Sequence, residues 1–190
     1  MKKFILFFLF TVVFSVNVFA LPLLNLGATI GLRGGYTASG FSTKKYSGDS
    51  IKNAEKYFGS AVLSVTALSF KGELEYIFRP SFIKFDVNNN SDKINYASQT
   101  MVGLYYNVLS VAIVDVYAGA SVGRNKIKGD LIQSYDKTAW AVGANVDVSL
   151  LMLKLEVGYR YVDMGKVVSI SNLKQDVKSH DIYFGVKVGI

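Results

Sequence analysis

Apolar and polar positions alternate along most of the chain, and residues 138–161 show this pattern most clearly. Between positions 140 and 148 the even-numbered residues are tryptophan, valine or alanine, while the odd-numbered ones are Ala, Gly, Asn and Asp. Between 151 and 161, leucine, valine and tyrosine alternate with residues that include Lys154, Glu156 and Arg160. A period of two predicts β-strands. The short connection near Ser149 and Leu150 predicts that the two strands form a hairpin.

Eight segments of roughly ten residues follow this alternation, and that is the length a tilted strand needs to cross a bilayer. They are residues 24–36, 57–67, 70–79, 96–106, 114–123, 138–148, 151–161 and 180–190. Polar stretches at 37–55, 88–92, 124–137 and 164–179 alternate with tight turns near 69, 108–112 and 149–150. Pro80 is expected to end the third segment, because proline cannot donate a hydrogen bond to the ladder. The pattern predicts an all-β, eight-stranded antiparallel up-and-down barrel.

The apolar face of these strands is predicted to contact lipid. A soluble barrel of the lipocalin type would have to enclose that whole face, yet eight strands leave room only for modest side chains or one small ligand. The opposite face carries glycines and charged residues, which suit a narrow polar lumen. Aromatic residues near the strand ends suit the girdles of a membrane barrel; they are Tyr36, Tyr57, Phe78, Tyr96, Tyr106, Trp140 and Tyr161. A transmembrane barrel is therefore the favoured interpretation.

Residues 1–20 have the organisation of a cleavable signal peptide. Lys2 and Lys3 precede an apolar run that ends at Phe14, and Ala20 is the small residue at the end of the segment. Cleavage there would leave residues 21–190 as one barrel domain, and an uncleaved membrane anchor is the alternative. The chain is predicted to be exported to the outer membrane of a bacterium.

Composition narrows the possible chemistry. The 190 residues include no cysteine and one histidine, which leaves neither a disulfide framework nor a thiolate or multi-histidine metal site. The formal charge of +7 falls to +5 without the two leader lysines, since 19 basic residues then face 14 acidic ones. An excess of this size, spread along the chain, does not indicate nucleic-acid binding. No catalytic residue, cofactor or metal is predicted.

Four segments carry a family resemblance. They read VYAGASVG at 116–123, AWAVGANV at 139–146, LEVGYRY at 155–161 and HDIYFGVKVGI at 180–190. The chain resembles the OmpA-like, opacity-type family of small outer-membrane β-barrels over essentially all of its mature length. The resemblance implies a barrel inserted by the outer-membrane assembly machinery. Such barrels usually end in an aromatic residue that this machinery reads, and Ile190 departs from that pattern.

Eleven charged residues fall on the face predicted to line the lumen. They are Arg33, Lys71, Glu73, Glu75, Arg79, Asp115, Asp147, Lys154, Glu156, Arg160 and Lys187. Six cations and five anions allow two interpretations, an ion path or a salt-bridged plug. Because a narrow barrel encloses little continuous water and buried charges need partners, the plug is favoured. Glu73 or Glu75 is expected within ion-pair distance of Arg160 or another lumen cation.

His180, the only histidine, is the residue whose possible catalytic role has to be weighed. Small outer-membrane barrels include lipid A deacylases and acyltransferases, whose acyl transfer needs a histidine beside a serine. The positions two residues away on its strand face are Lys178 and Ile182, while Ser179 points to the other face. The sequence therefore predicts a non-enzymatic outer-membrane protein that supports envelope integrity or surface adhesion. A lipid-modifying enzyme and a small-solute pore are the alternatives.

The polar stretches between the predicted strands indicate possible partners, since they hold 13 basic and 8 acidic residues. The basic residues include Lys44, Lys45, Lys52, Lys56, Arg124, Lys126, Lys128, Lys137, Lys166, Lys174 and Lys178. Such residues attract the phosphates of lipopolysaccharide and anionic host or matrix molecules, although solvated loops with no partner explain them equally well. The predicted partners are thus outer-membrane lipid and lipopolysaccharide, the assembly machinery, and host or matrix surface molecules. The barrel is predicted to be a monomer.

Overall fold

A computed structural model describes residues 26–42, 50–52, 56–87, 90–129, 135–168 and 174–190. The predicted signal peptide and the residues Lys44 and Lys45 lie outside this part of the chain. Nine β-strands are present within it: β1 Gly27–Ser42, β2 Ser50–Lys52, β3 Lys56–Ala67, β4 Phe70–Val87, β5 Asn90–Val111, β6 Val114–Gly129, β7 Tyr135–Leu150, β8 Leu153–Val168 and β9 Lys174–Gly189. The described residues include no helix long and apolar enough to span a membrane.

Eight of these strands close into a barrel. Neighbouring strands pair antiparallel in the order β4-β3-β1-β9-β8-β7-β6-β5, and pairing of β5 with β4 completes the ring. The short β2 pairs with the outer part of β4. Starting at Ala67 of β3 and stepping from each residue to its paired residue on the next strand, one circuit of the barrel returns to β3 at Tyr57. This offset of ten residues is the shear of the barrel. A barrel of this kind has strands tilted by about 40°. The predicted eight-stranded antiparallel barrel is confirmed.

The two faces of the strands point as the alternation predicts. Ile30, Leu104 and Phe184 are more than half exposed on the outer wall, whereas Arg33 and Lys187 are buried in the lumen. Successive side chains of a strand point to opposite faces. In each barrel strand the apolar set of side chains points outward and the polar set points into the lumen. The outer wall of this barrel is therefore the apolar one.

The strands are longer than the alternation of apolar residues predicts. The expected polar loops at 37–55, 88–92, 124–137 and 164–179 each contain strand, since β1 continues to Ser42, β6 to Gly129 and β8 to Val168. Ladder hydrogen bonds join backbone groups, so two paired strands can continue where their side chains become polar. Residues 43–49, 53–55, 88–89, 130–134 and 169–173 lie outside the described part.

Three two-residue turns join strands at the opposite end of the barrel. They lie at positions 68–69, 112–113 and 151–152. The turn expected near Ser149 and Leu150 is displaced by two residues, because Leu150 still pairs with Leu153. This end is called the turn end below.

The prediction that Pro80 ends its strand is wrong. Pro80 pairs with Tyr96, and β4 continues to Val87. The register between β4 and β5 shifts between Pro80 and Ile83. Such an irregularity interrupts the ladder locally, and it is one of the places where a sheet accepts a residue without an N–H donor.

Ring side chains lie on the outer wall of six barrel strands, on the side away from the turns. This outer girdle consists of Tyr36, Tyr57, Phe78, Trp140, Tyr161 and His180. Ring centroids of neighbouring strands lie 5.9 Å apart for Tyr36 and Tyr57, and 5.6 Å apart for Trp140 and Tyr161. Tyr106, also predicted to lie near a strand end, instead contacts Phe70 toward the turn end, with centroids 5.3 Å apart. Beyond the girdle the barrel wall continues, since β7 begins five residues before Trp140.

Candidate functional site

Charged side chains fill the lumen between the turn end and the level of the outer girdle. Within the described residues, ion pairs connect five cations and five anions, all buried. They are Arg33, Lys71, Arg79, Arg160 and Lys187, with Glu73, Glu75, Asp147, Glu156 and Asp181. These ten residues are called the lumen network. Its formal charges cancel, which is the condition under which charges persist away from water.

Arg33 on β1 lies at the centre of the lumen network. Its Nε donates a hydrogen bond of 2.6 Å to Oε2 of Glu156, and its Nη2 lies 2.8 Å from both carboxylate oxygens of Glu73. Nη1 forms an ion pair of 3.1 Å with Oε2 of Glu75. One guanidinium thereby links β1 to β4 and β8, using the several donors that a single arginine offers in a fixed plane.

One ion pair crosses the full width of the barrel. Arg160 on β8 and Glu75 on β4 belong to strands four places apart in the ring of eight, and Nη1 of Arg160 lies 2.5 Å from Oε2 of Glu75. The expected approach of a β4 glutamate to Arg160 is present. Nε of Arg160 also donates to Oδ2 of Asp181 at 3.0 Å, and that oxygen lies 2.6 Å from Nη2 of Arg79. The lumen is thus bridged at the level of these four side chains.

Two lysines complete the network nearer the turn end. Nζ of Lys187 lies 3.0 Å from Glu73 and 2.9 Å from Glu156. Nζ of Lys71 lies 3.1 Å from Asp147. Asn145 donates to Oδ1 of Asp147 at 2.6 Å and to Oε1 of Glu156 at 2.8 Å. Each lysine lies close to more than one carboxylate, so no single ion pair carries the attraction alone.

Aromatic rings in the lumen contact the charged groups. The Arg79 guanidinium lies 4.7 Å from the ring centre of Phe58, and Arg33 lies 4.9 Å from that of Tyr183. Nζ of Lys71 lies 4.0 Å from the ring centre of Tyr117. Cations are attracted to the faces of aromatic rings, more strongly where water is excluded. The rings therefore fill space and stabilise the cationic members of the network.

A glycine makes room for one of these rings. A Cβ atom at Gly158 would lie 2.2 Å from Cζ of Tyr183. Because real side chains do not approach that closely, the ring of Tyr183 could not keep its place if residue 158 had a side chain. The glycines on the lumen face are thus part of how the network fits inside the barrel.

Apolar side chains close the lumen at the level of the outer girdle and beyond it. This apolar cap consists of Ile77, Ala97, Met101, Ala139, Ala141, Val162, Met164 and Val177, none more than 2% exposed. They come from five strands, β4, β5, β7, β8 and β9. Gln99, Asn125 and Ser179 are buried among them. Packed side chains exclude water, so this largely apolar layer fills the lumen toward the loop side of the barrel.

Nine of the eleven predicted lumen residues belong to the lumen network. Asp115 and Lys154 are half-buried near the turn end, where Asp115 accepts hydrogen bonds from Asn107 and Ser110. The predicted set omitted Asp181, which pairs with two arginines. Asp181 alternates with the outward Ile182 in β9, so the sequence pattern was sufficient to place it on the lumen face. The apolar cap was also missed, because Val162, Met164 and Val177 lie in or beside a stretch expected to be a loop.

His180 is on the outer wall and not in the lumen. Its Nδ1 lies 2.6 Å from the hydroxyl of Tyr159, and its ring contacts Tyr161 with centroids 5.3 Å apart. The neighbouring Ser179 is fully buried in the lumen, where its hydroxyl donates to Asp181 at 3.3 Å. The barrel wall separates the two side chains, so they cannot act together in acyl transfer. The part of the chain that the structure describes holds no group of three or more His, Cys, Asp or Glu residues suited to a metal ion.

Comparison with known protein families assigns this chain to one family. A family model described as an outer membrane protein beta-barrel domain matches residues 6–189. A search of curated proteins finds no match.

Solved structures of similar fold are outer-membrane proteins. Neisserial surface protein A is 18% identical, with a TM-score of 0.63 over 85% of this chain and 96% of its own. A major outer membrane protein from Thermus thermophilus is 11% identical, with a TM-score of 0.57 over 86% and 99%. The outer membrane protein AlkL, whose structure was determined in lipid bilayers, is 15% identical, with a TM-score of 0.50 over 86% and 90%. At these identities the likeness concerns the fold.

Proposed function

The chain belongs to the outer membrane protein beta-barrel domain family and is an outer-membrane protein, and on that premise we propose that it is a sealed, non-enzymatic barrel that supports envelope integrity and presents its outer end for adhesion. The proposal includes a signal peptide at residues 1–20, removed on export, and a monomeric barrel domain at 21–190. Lipid, lipopolysaccharide and the assembly machinery are its partners in the envelope.

The lumen network is the observation that supports a sealed barrel. A conducting pore needs a continuous column of water, whereas here the ion pair between Arg160 and Glu75 joins opposite walls. The apolar cap lies above it and leaves Val162, Met164 and Val177 fully buried. An ion would have to pass both a bridged layer of charge and a packed, largely apolar layer. The lumen residues therefore act structurally, as a plug.

The outer end of the barrel is where contacts with other molecules are proposed. Of the basic residues expected in loops, Lys126 and Arg124 are exposed on β6 just beyond the last apolar residue of its outer wall, Val122. This height corresponds to the lipid headgroups, where the phosphates of lipopolysaccharide lie. The paired ends of β4 and β5 reach further out, to Val87 and Asn90. Paired strands provide a rigid support from which an adhesive surface can be presented.

Two measurements on one protein test this proposal. In planar bilayers the purified wild-type barrel is expected to give no steady single-channel current, and cells that produce it are expected to bind better than deletion cells to some members of a panel of host and matrix surfaces. Large steady currents would contradict the sealed lumen. Equal binding by producing and deletion cells across the panel, with surface display checked by antibody, would contradict the adhesive role and leave the envelope role to be measured by detergent sensitivity.

The geometry gives no support to a lipid-modifying enzyme. His180 faces outward beside Tyr159, and the serine next to it in sequence faces the lumen. Acyl transfer of the serine type needs a nucleophile and a base within hydrogen-bonding distance. The proposed function is therefore non-enzymatic.

A further inference from the structure

The three turns at the turn end expose large apolar side chains. Leu151 is fully exposed and Met152 is 73% exposed. Leu68 and Ile113 are both more than half exposed. Turns that lie in water are usually built from Gly, Asn, Asp, Pro or Ser. Of these types only Ser69 occurs among the six turn positions. The composition of the turns is thus that of a surface shielded from water.

The backbone of the turns strengthens this observation. Leu68, Ala112 and Leu151 each have a positive φ, between 53° and 57°. Glycine and asparagine adopt this left-handed conformation readily, whereas a leucine does so only against steric resistance. Two of the three turns therefore keep a leucine at a position where glycine would fit the backbone better. Apolar character is retained there despite the strain.

The height of the barrel places the turns at the edge of the hydrocarbon. Trp140 in the outer girdle and Leu151 at the tip of its hairpin are eleven positions apart. With a rise of about 3.4 Å per residue and a tilt of about 40°, this separation is roughly 28 Å along the bilayer normal. The hydrocarbon core of a bilayer is about 30 Å thick and the apolar band of such barrels about 25 Å tall. A girdle at the outer interface therefore puts the turn tips at the inner one.

The outer wall between these two levels carries no charge. On β6 the outward side chains from Val114 to Val122 are valine and alanine, and on β7 those from Trp140 to Leu150 are tryptophan, valine, alanine and leucine. In the described part of every other barrel strand, the outward residues between the girdle and the turns are likewise uncharged. The apolar band thus extends without interruption to the turn tips.

We infer that the three turns are immersed in the inner leaflet of the outer membrane, where phospholipid covers Leu68, Ile113, Leu151 and Met152. The barrel then lies asymmetrically in the bilayer. Its turn end does not project into the periplasm. Every barrel strand except β3 continues beyond the outer girdle by five residues or more, roughly 13 Å at the same rise and tilt. The outer strand ends stand above the lipid surface as a rigid collar.

Tryptophan fluorescence in nanodiscs tests this placement, because both faces of a nanodisc are open to solvent. Trp140 is the only tryptophan, so a Trp140→Phe background permits one new tryptophan at a time. Met152→Trp and Ile113→Trp probe two turns at positions whose φ is not positive. The nanodiscs contain phosphatidylcholine brominated near the glycerol end of its chains. Both tryptophans are expected to emit at shorter wavelength than a water-exposed tryptophan, to lose fluorescence to the brominated lipid and to resist quenching by acrylamide.

Lys126→Trp in the same background is the matched control, since Lys126 is exposed on the collar beyond the girdle. Its tryptophan is expected to be quenched by acrylamide and little affected by the brominated lipid. Heat-modifiable mobility on detergent gels shows that each variant is folded before measurement. If the tryptophans of Met152→Trp and Ile113→Trp respond like that of Lys126→Trp, the turns lie in water. A periplasmic protein would then be the better candidate to cover them, and the inference would be overturned.

Discussion

Replacement of Arg160 by alanine removes the ion pair that crosses the barrel. In the wild-type lumen Arg160 is buried, with Nη1 2.5 Å from Glu75 and Nε 3.0 Å from Asp181. The substitution leaves two carboxylates with one partner fewer and gives the lumen network a net charge of −1. It also removes a guanidinium whose centre lies 5.3 Å from the ring of Phe58. We expect a clear loss of stability with the strand faces unchanged.

The size of the loss follows from what the two carboxylates retain. Removing one member of a buried ion pair typically costs about 3–5 kcal/mol, because the other charge stays buried without compensation. Here Glu75 keeps a hydrogen bond of 2.6 Å from Ser60 and its contact with Arg33, and Asp181 keeps Arg79 at 2.6 Å. These partners offset part of the penalty. The free energy of unfolding should therefore fall by about 3 kcal/mol, the lower end of that range.

Urea unfolding in lipid vesicles, followed by heat-modifiable mobility, measures this change. A Lys126→Ala barrel is the matched control, because this cation is exposed on the outer wall and its loss should change stability by less than about 0.5 kcal/mol. Adding Glu75→Gln to Arg160→Ala restores a neutral network, so the double variant should be more stable than Arg160→Ala alone. An energy of interaction between the two sites follows from the complete double-mutant cycle.

Two outcomes would refute this reasoning. If Arg160→Ala unfolds at the same urea concentration as Lys126→Ala, then the ion pair across the lumen contributes nothing to stability. If Glu75→Gln fails to recover any stability in the Arg160→Ala background, then the loss comes from the missing side-chain volume beside Phe58 and not from unpaired charge. In either case the lumen network could not be described as an electrostatic plug.

Two further predictions concern other parts of the barrel. Gly158→Ala should lower stability by about 1–3 kcal/mol in the same urea assay, since its Cβ would meet the ring of Tyr183, whereas Gly34→Ala on the open outer wall should be tolerated; equal effects of the two substitutions would show that the lumen is loosely packed. His180→Ala should leave lipid A composition unchanged in cells that overproduce the protein, because the adjacent Ser179 lies on the other side of the barrel wall; a change in acylation measured by mass spectrometry would reverse the non-enzymatic assignment.

The alternation of side chains was sufficient to predict which way each strand faces. A strand has a period of two, so in a sheet with one apolar face the residue types alone distinguish the outer wall from the lumen. Arg33, Glu73 and Lys187 could be placed in the lumen for that reason, and Ile182 on the outer wall. The number of barrel strands and the position of the tight turns followed from the same pattern to within a few residues.

The pairing of charges across the lumen was decided by tertiary structure. Arg160 meets Glu75, and Asp181 meets Arg79, because a shear of ten residues sets the height of each strand against the strands opposite. That offset is a property of the closed barrel and has no signature in any single strand. The sequence alone therefore predicted only that Glu73 or Glu75 would meet Arg160 or another lumen cation, without deciding which.

Strand length was likewise decided by pairing. The stretch after Pro80 and the stretch around Met164 are polar or irregular in sequence, yet both continue as strand because the neighbouring backbone supplies hydrogen bonds. Side-chain alternation reports contact with lipid, and it ends where the bilayer ends, while the backbone ladder does not. The sequence by itself determined the membrane-embedded barrel and its two faces; the partners inside the lumen and the extension beyond the membrane arose only when the strands closed into a ring.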